Sequence, residues 1–272
     1  MKIALTQLAM HTDPKENLRR CIGYLRDAAG RDVRLICFPE LQFSPFFPQY
    51  RQQNAERYLM DPDDSLIRQF RDVIAEVQIS TVANLYLETP AGKFDASPVF
   101  GADGSILGIS KMVHIVQIPR FYEQDYYTPS DEGFAVYDTG NIKVGVVICF
   151  DRHFPESIRS CVLLGAEVVA IPTAIVDGEP LEKYIWEMRI AAMQNRVYIA
   201  LCNRTGPVGD LRFCGNSVIV DPDGELLARA GPGQELLIAD IDPAKSRSGK
   251  AHPYFSLRRP GFYVRDVHDR KS

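Results

Sequence analysis

The stretch VGVVICFDRHFPES, residues 144–157, decides how the rest of the chain reads. Its run of Val and Ile is continuous, as expected of a strand covered on both faces. The run ends on Cys149, with Asp151, Arg152 and His153 directly behind, and Pro155-Glu156 opens a helix. In α/β proteins a strand end beside a helix start is where reacting groups sit, and a helix N-terminus favours a thiolate. Cys149 is therefore a candidate nucleophile, to be weighed against the plainer reading of a buried thiol filling a strand end.

Outward from that strand, β and α patterns alternate. KIALTQLA reads as a strand, Asp13-Pro14 starts a helix with Leu18, Ile22, Leu25 and Ala29 on one face, and VRLICFPE is a second strand. A helix over about Asp64 to Val77 and a strand ISTVANLYLE follow. SPVFGADGSILG (97–108) and NSVIVDPDGELLA (216–228) each set Asp-Gly between apolar runs, a strong hairpin signal, so the sheets are mixed. PESIRSCVLLGA and LEKYIWEMRIAAMQNR read as helices, and EVVAIPTA and YIALCNRTG as strands. The pattern implies sheets with helices on their outer faces. A chain of 272 residues, 46% of them hydrophobic, fits one large α/β domain, 1–272, with the aperiodic tail 242–272 as an arm that packs on something else.

Lys and Arg number 31 against 35 Asp and Glu, with no polybasic run, which argues against nucleic acid or an anionic membrane as the main partner. The expected ligand is a small molecule. The N-terminus lacks a signal-peptide pattern and no segment approaches a membrane span, so a cytoplasmic protein is expected. Six cysteines form no CxxC pair and five histidines stand singly, so no metal is expected and the chemistry must come from side chains.

A thiol nucleophile needs a base for its proton and a cation for the anionic intermediate, both from other strand ends. Glu40 ends VRLICFPE and Lys111 ends SILGIS, each where a strand emerges. Taken singly, Glu40 reads equally well as a solvated loop charge and Lys111 as an exposed strand-end lysine. His114 and His153 read as structural, and Cys202 and Cys214 as core thiols.

FPE at 38–40, a lysine followed shortly by His-Ile at 111–115, and a strand ending Cys-x-Asp before Pro-Glu resemble the nitrilase superfamily of carbon–nitrogen hydrolases. GAEVVAIPTA (165–174), ALCNRTG (200–206) and RRPGFY (258–263) extend the resemblance over nearly the whole chain. It implies a four-layer α-β-β-α sandwich of two mixed sheets, and a triad of Glu40 as general base, Lys111 as electrostatic stabiliser and Cys149 as nucleophile, with no cofactor. It adds Glu123 as a second glutamate that positions substrate and assists proton transfer. Family members commonly read Lys-x-His where this chain has KMVH. Counting strictly from Gly108 puts Met112 in the lysine slot, whereas a one-residue bulge keeps Lys111 there.

By the same resemblance, Arg152 would bind a substrate carboxylate and Glu179 a distal amine. Arg152 pairing within its own turn, and Glu179 serving only as a helix-start carboxylate, are the structural alternatives. Phe46, Phe47, Tyr50, Phe121, Tyr122, Phe150 and Trp186 are candidates to wall the pocket, with core packing as the alternative for half or more of them. The expected activity is that of an amidohydrolase acting on an N-carbamoyl amine, an N-carbamoyl amino acid or a linear amide, by way of a thioester and with release of ammonia. The alternatives are a nitrilase acting on a C≡N group and a non-catalytic scaffold that keeps the sandwich. The resemblance also implies a homodimer or higher homo-oligomer, with RRPGFYVRD crossing to the partner.

Overall fold

A computed structural model describes residues 1–249 and 253–264. In chain order the first half runs β1 (Lys2–Gln7), α1 (Pro14–Ala29), β2 (Val33–Cys37), α2 (Ser65–Val77), β3 (Ser80–Val82), β4 (Leu85–Thr89), β5 (Gly92–Phe100) and β6 (Ile106–Lys111). A two-strand ribbon, β7 (Gln117–Ile118) and β8 (Phe121–Tyr122), leads to β9 (Val136–Asp138), β10 (Lys143–Val146), α3 (Pro155–Leu163), β11 (Val168–Thr173), α4 (Leu181–Asn195) and β12 (Tyr198–Asn203). A hairpin of β13 (Thr205–Val208) and β14 (Leu211–Cys214) precedes β15 (Val218–Val220), β16 (Leu226–Arg229) and β17 (Glu235–Asp240).

The strands form two main sheets. One has the order β17-β1-β2-β3-β5-β4 with β6 on β5, and the other β16-β15-β12-β11-β10-β9. β1, β2 and β3 are mutually parallel, as are β10, β11 and β12. Three apolar layers separate the elements: Leu18, Leu25, Phe70 and Ile74 against the first sheet, Ile3, Leu35, Val146 and Ala200 between the sheets, and Ile158, Tyr184, Met188 and Leu201 outside the second. The result is the expected α-β-β-α sandwich. Among the described residues no helix is long and apolar enough to cross a membrane.

Local chemistry explains the boundaries. Asp13 accepts the Lys15 N–H and Asp64 that of Leu66, capping α1 and α2. Both Asp-Gly turns form, with Gly104 and Gly224 at φ 76° and 84°. The apolar face of α1 is Leu18, Cys21, Leu25 and Ala28; Ile22 and Ala29 are only half-buried. ISTVANLYLE, expected as one strand, is two. It breaks at Asn84, whose side-chain oxygen accepts the Leu41 N–H at 2.6 Å and whose amide donates to Asp95 and Ser97. A residue tied to a neighbouring loop cannot also continue a regular ladder.

The tail carries short helices at Pro243–Gly249 and Pro253–Ser256, and Phe262 and Tyr263 are exposed on this chain. Of the expected arm, residues 250–252 and 265–272 lie outside the described residues.

Candidate active site

Parallel neighbours deliver their C-terminal ends to one edge. β2 leads to Glu40, β10 to Cys149 and β11 to Thr173, and all three are buried. Cys149 takes φ 41°, a conformation few L-residues adopt, at the turn from β10 into the 3-10 segment Cys149–His153. The Thr173 hydroxyl donates to its Sγ at 3.4 Å, and the Arg152 guanidinium donates to its carbonyl at 3.2 Å.

Burial and the neighbouring Glu40 push the Cys149 thiol well above its ordinary range, with Arg152 opposing. So the thiol is not a standing thiolate and needs a base. Burial raises Glu40 to about 7, Glu123 adds to the rise, and contacts with Cys149 and Asp95 lower it. Neither Glu40 oxygen has a fixed N–H or hydroxyl donor; the Cys149 thiol and the Asp95 carboxyl are the polar groups lying against it. A carboxyl near 7 beside a buried thiol is matched to general-base work.

Glu123 reaches the same place. It is fully buried, accepts the Val116 N–H at 3.2 Å, and is raised to about 8, by burial first and then by the Asp95 charge. With Cys149 it borders a cavity of about 240 Å³ whose apolar wall includes Val116, Phe121, Phe150, Ala174 and Val176. Arg152 and Glu179 border it too, but they meet each other, at 2.7 Å. Arg152 also has Glu187 at 3.7 Å.

Lys111 is not brought to the site. Its ammonium pairs with Glu132 at 2.5 Å and lies over the Phe94 ring, 4.9 Å from the centroid. The reason is strand parity. β6 runs antiparallel to β5 with Lys111 opposite Ala96, and Phe94 and Ala96 face the layer of α1 and α2. The next residue faces the other way: Met112 donates its N–H to the Asp95 carbonyl at 2.9 Å and packs, fully buried, in the inter-sheet layer that contains Cys149. A register shift does occur in this hairpin, between Val99 and Phe100, but pairing is regular from Gly108 to Lys111. The bulge expected to turn Lys111 inward therefore lies too early in the strand to do so.

Of the aromatic residues expected in the wall, Phe121 and Phe150 border the cavity and the others do not. Trp186 is half exposed on α4, in a separate hollow with Arg189, Ile190 and Met193. Tyr122 stands under Arg51 and does not border the cavity, which its neighbour Phe121 does. Phe46 is buried one layer back, edge-on to Phe121 and Phe213. Phe150 lines the cavity as expected.

Sequence reasoning missed three groups. Asp95 lies fully buried against Glu40. Arg204 is fully buried, donates to the Glu40 and Ser44 carbonyls at 3.4 and 3.0 Å, and is lowered to about 10 by burial. Asp151 accepts the Val113 and His114 N–H groups and meets His114 Nδ1 at 2.6 Å, which docks the segment after β6 beside Cys149. The spacing of His114 and Asp151 within KMVH and CFD was visible; that they bind each other was not.

Comparison with known proteins fits this architecture. A family model described as carbon-nitrogen hydrolase matches residues 2–251. N-carbamoylputrescine amidase of Solanum tuberosum is 31% identical, covering 96% of this chain and 93% of its own length. Omega-amidase NIT2 of Bos taurus is 30% identical over 100% and 99%. A crystal structure of a carbon-nitrogen hydrolase from Helicobacter pylori G27 superposes with a TM-score of 0.87 at 27% identity, covering 97% of each chain.

Proposed function

The chain belongs to the carbon–nitrogen hydrolase family of enzymes, and on that footing we propose that it hydrolyses a linear amide or N-carbamoyl compound through a thioester on Cys149, releasing ammonia. The observation that carries this reading is the buried meeting of Glu40 with Cys149, which itself borders the cavity. Glu40 as carboxylate takes the thiol proton while Sγ attacks the carbonyl carbon. The Phe150 backbone N–H, next after the nucleophile, is the donor assigned to the developing oxyanion. Glu40 then returns the proton to the leaving nitrogen and activates the water that cleaves the thioester, with Glu123 holding the substrate.

The Arg152–Glu179 pair bears on the substrate. A carboxylate that bound Arg152 would have to displace Glu179 from a guanidinium that is itself buried. An amide or ureido compound with an apolar or amine-bearing chain meets no such cost. The test is ammonia release from simple amides, carbamoylated amines and carbamoylated amino acids, with Cys149→Ala as control. Release that persists in the control removes Cys149 as nucleophile.

One observation favours the reading of a non-catalytic scaffold: an apolar Met112 stands where an ammonium was expected. The same panel decides, since a scaffold yields no Cys149-dependent ammonia from any of its members.

Self-association belongs to the same proposal. Leu163 at the end of α3, Leu164 directly after it, and Trp186, Ile190 and Met193 of α4 are exposed on the outer helix layer, an apolar face suited to a second copy. Light scattering at micromolar concentration should give twice the chain mass, and Trp186→Glu should reduce it to the monomer.

A further inference from the structure

The strongest unexplained feature is a second acid beside the base. Asp95 projects from β5 toward the inter-sheet layer, fully buried, and its carboxyl lies against that of Glu40. Its backbone neighbour across the hairpin is Met112, so the position that could have brought a cation to these two acids brings a thioether. Glu123, Asp151, Tyr127 and Cys149 also face the pair, and Arg204 is the cation that acts on it. The Arg204 guanidinium donates to backbone carbonyls, not to either carboxyl. Among the described residues no group of His, Cys, Asp and Glu is arranged to hold a metal ion.

Two buried carboxyls in contact do not both ionise at neutral pH; they hold one proton between them. The surrounding hydrogen bonds say where it sits. Asn84 is fixed in orientation because its Oδ1 accepts the Leu41 N–H, so its Nδ2 donates to Asp95 Oδ1, at 2.6 Å. Asp95 Oδ2 has no donor. It is the oxygen left to carry a proton, and the Glu40 carboxyl is the acceptor beside it.

We infer that Asp95 is a positioning residue for the base: its protonated carboxyl donates a hydrogen bond to the Glu40 carboxylate and keeps Glu40 ionised and aimed at Cys149, in a site with no lysine. This rests on the assignment of Glu40 and Cys149 made above. When Glu40 accepts the thiol proton, both acids are neutral and Asp95 keeps its own proton. When Glu40 gives that proton to the leaving nitrogen, the singly charged pair returns.

The test is the pH dependence of Cys149 alkylation by 2-chloroacetamide, followed by intact-protein mass, which needs no turnover. Sulfur–carbon bond formation expels chloride, and the thiol proton goes to Glu40. The wild type should show two inflections, one for each proton of the pair. Asp95→Asn supplies an amide donor that cannot titrate, so it should keep the rate at neutral pH within about threefold while losing one inflection. Asp95→Val removes the donor; it should react at least about tenfold more slowly and move the lower limb up by about one pH unit or more. An Asp95→Asn profile identical to wild type overturns the inference, and that comparison stands even if Asp95→Val does not fold. A folded wild type whose Cys149 is not alkylated at any pH brings down the underlying assignment of base and nucleophile, and this inference with it.

Discussion

The ends of β10 and β6 make opposite use of the same arrangement. The segments that follow them are held together, Asp151 accepting the Val113 and His114 N–H groups, and each strand ends on or leads into a chemically useful residue. At the end of β10 the chain turns through an unusual backbone conformation and points Cys149 into the inter-sheet layer. At the end of β6 the ladder stays regular through Lys111, which therefore faces outward, and the inward place goes to Met112. A single residue of register separates an ammonium in the site from one paired with Glu132 on the other face of the sheet. Function at a strand end is thus set by parity as much as by residue type.

The largest effect expected is at Cys149, the proposed nucleophile. Cys149→Ala and Cys149→Ser should each lower kcat by about a thousandfold or more with an unchanged circular dichroism spectrum, because neither supplies a thiolate at this position. Retained activity in either one removes β10 from the comparison.

Moving the cation should sharpen the comparison from the other side. Met112→Lys places an ammonium beside Glu40 and Asp95 and should raise kcat by about tenfold or more, the scale of an added oxyanion partner. Unchanged or lower kcat in a folded Met112→Lys protein would mean that the inward position of β6 does not face the reacting atoms.

A smaller, thermodynamic effect comes from the buried acids. Glu40 and Glu123 keep protons in the folded chain up to about 7 and about 8, whereas the unfolded chain releases them nearer 4.5. The unfolded state therefore binds fewer protons across that window. Their contribution is fully present below about 4.5 and is lost as pH rises through the folded values. Glu123→Gln, neutral at every pH, should remove its share, so that between about pH 5.5 and pH 8.5 stability measured by urea falls less than in wild type, by on the order of 1 kcal/mol or more. An equal fall in both proteins contradicts the neutral, buried state of Glu123.

Arg152 and Glu179 should behave as one unit. A double-mutant cycle with Arg152→Gln and Glu179→Gln on kcat/KM should give a coupling of about 1–3 kcal/mol. Additive losses would mean that each meets its own end of the ligand.

The fold was legible in the sequence because periodicity carries it: continuous apolar strands, capped helices and two Asp-Gly hairpins all form. The buried placement of Cys149 and Glu40 at one edge was legible because strand ends before turns are recognisable. Lys111 was misplaced because parity through a hairpin depends on where its bulge falls, and residue spacing does not fix that. Asp95 escaped notice because its neighbours Phe94 and Ala96 face the opposite layer, and only the packed sheets show that the residue between them meets Glu40. Trp186 was counted with the aromatic wall, yet the side of α4 that packs inward is Tyr184, Ile185, Met188 and Ala192.

The central claim, that Glu40 and Cys149 work without Lys111, is tested most directly by kcat for Lys111→Ala on an amide that the wild type hydrolyses. The ammonium lies on the far face of its sheet, over Phe94 and paired with Glu132, away from the layer that holds Cys149, so the ratio to wild type should be within about twofold. A loss of about a hundredfold, the scale of a missing oxyanion partner, would contradict the account and return the lysine to the site.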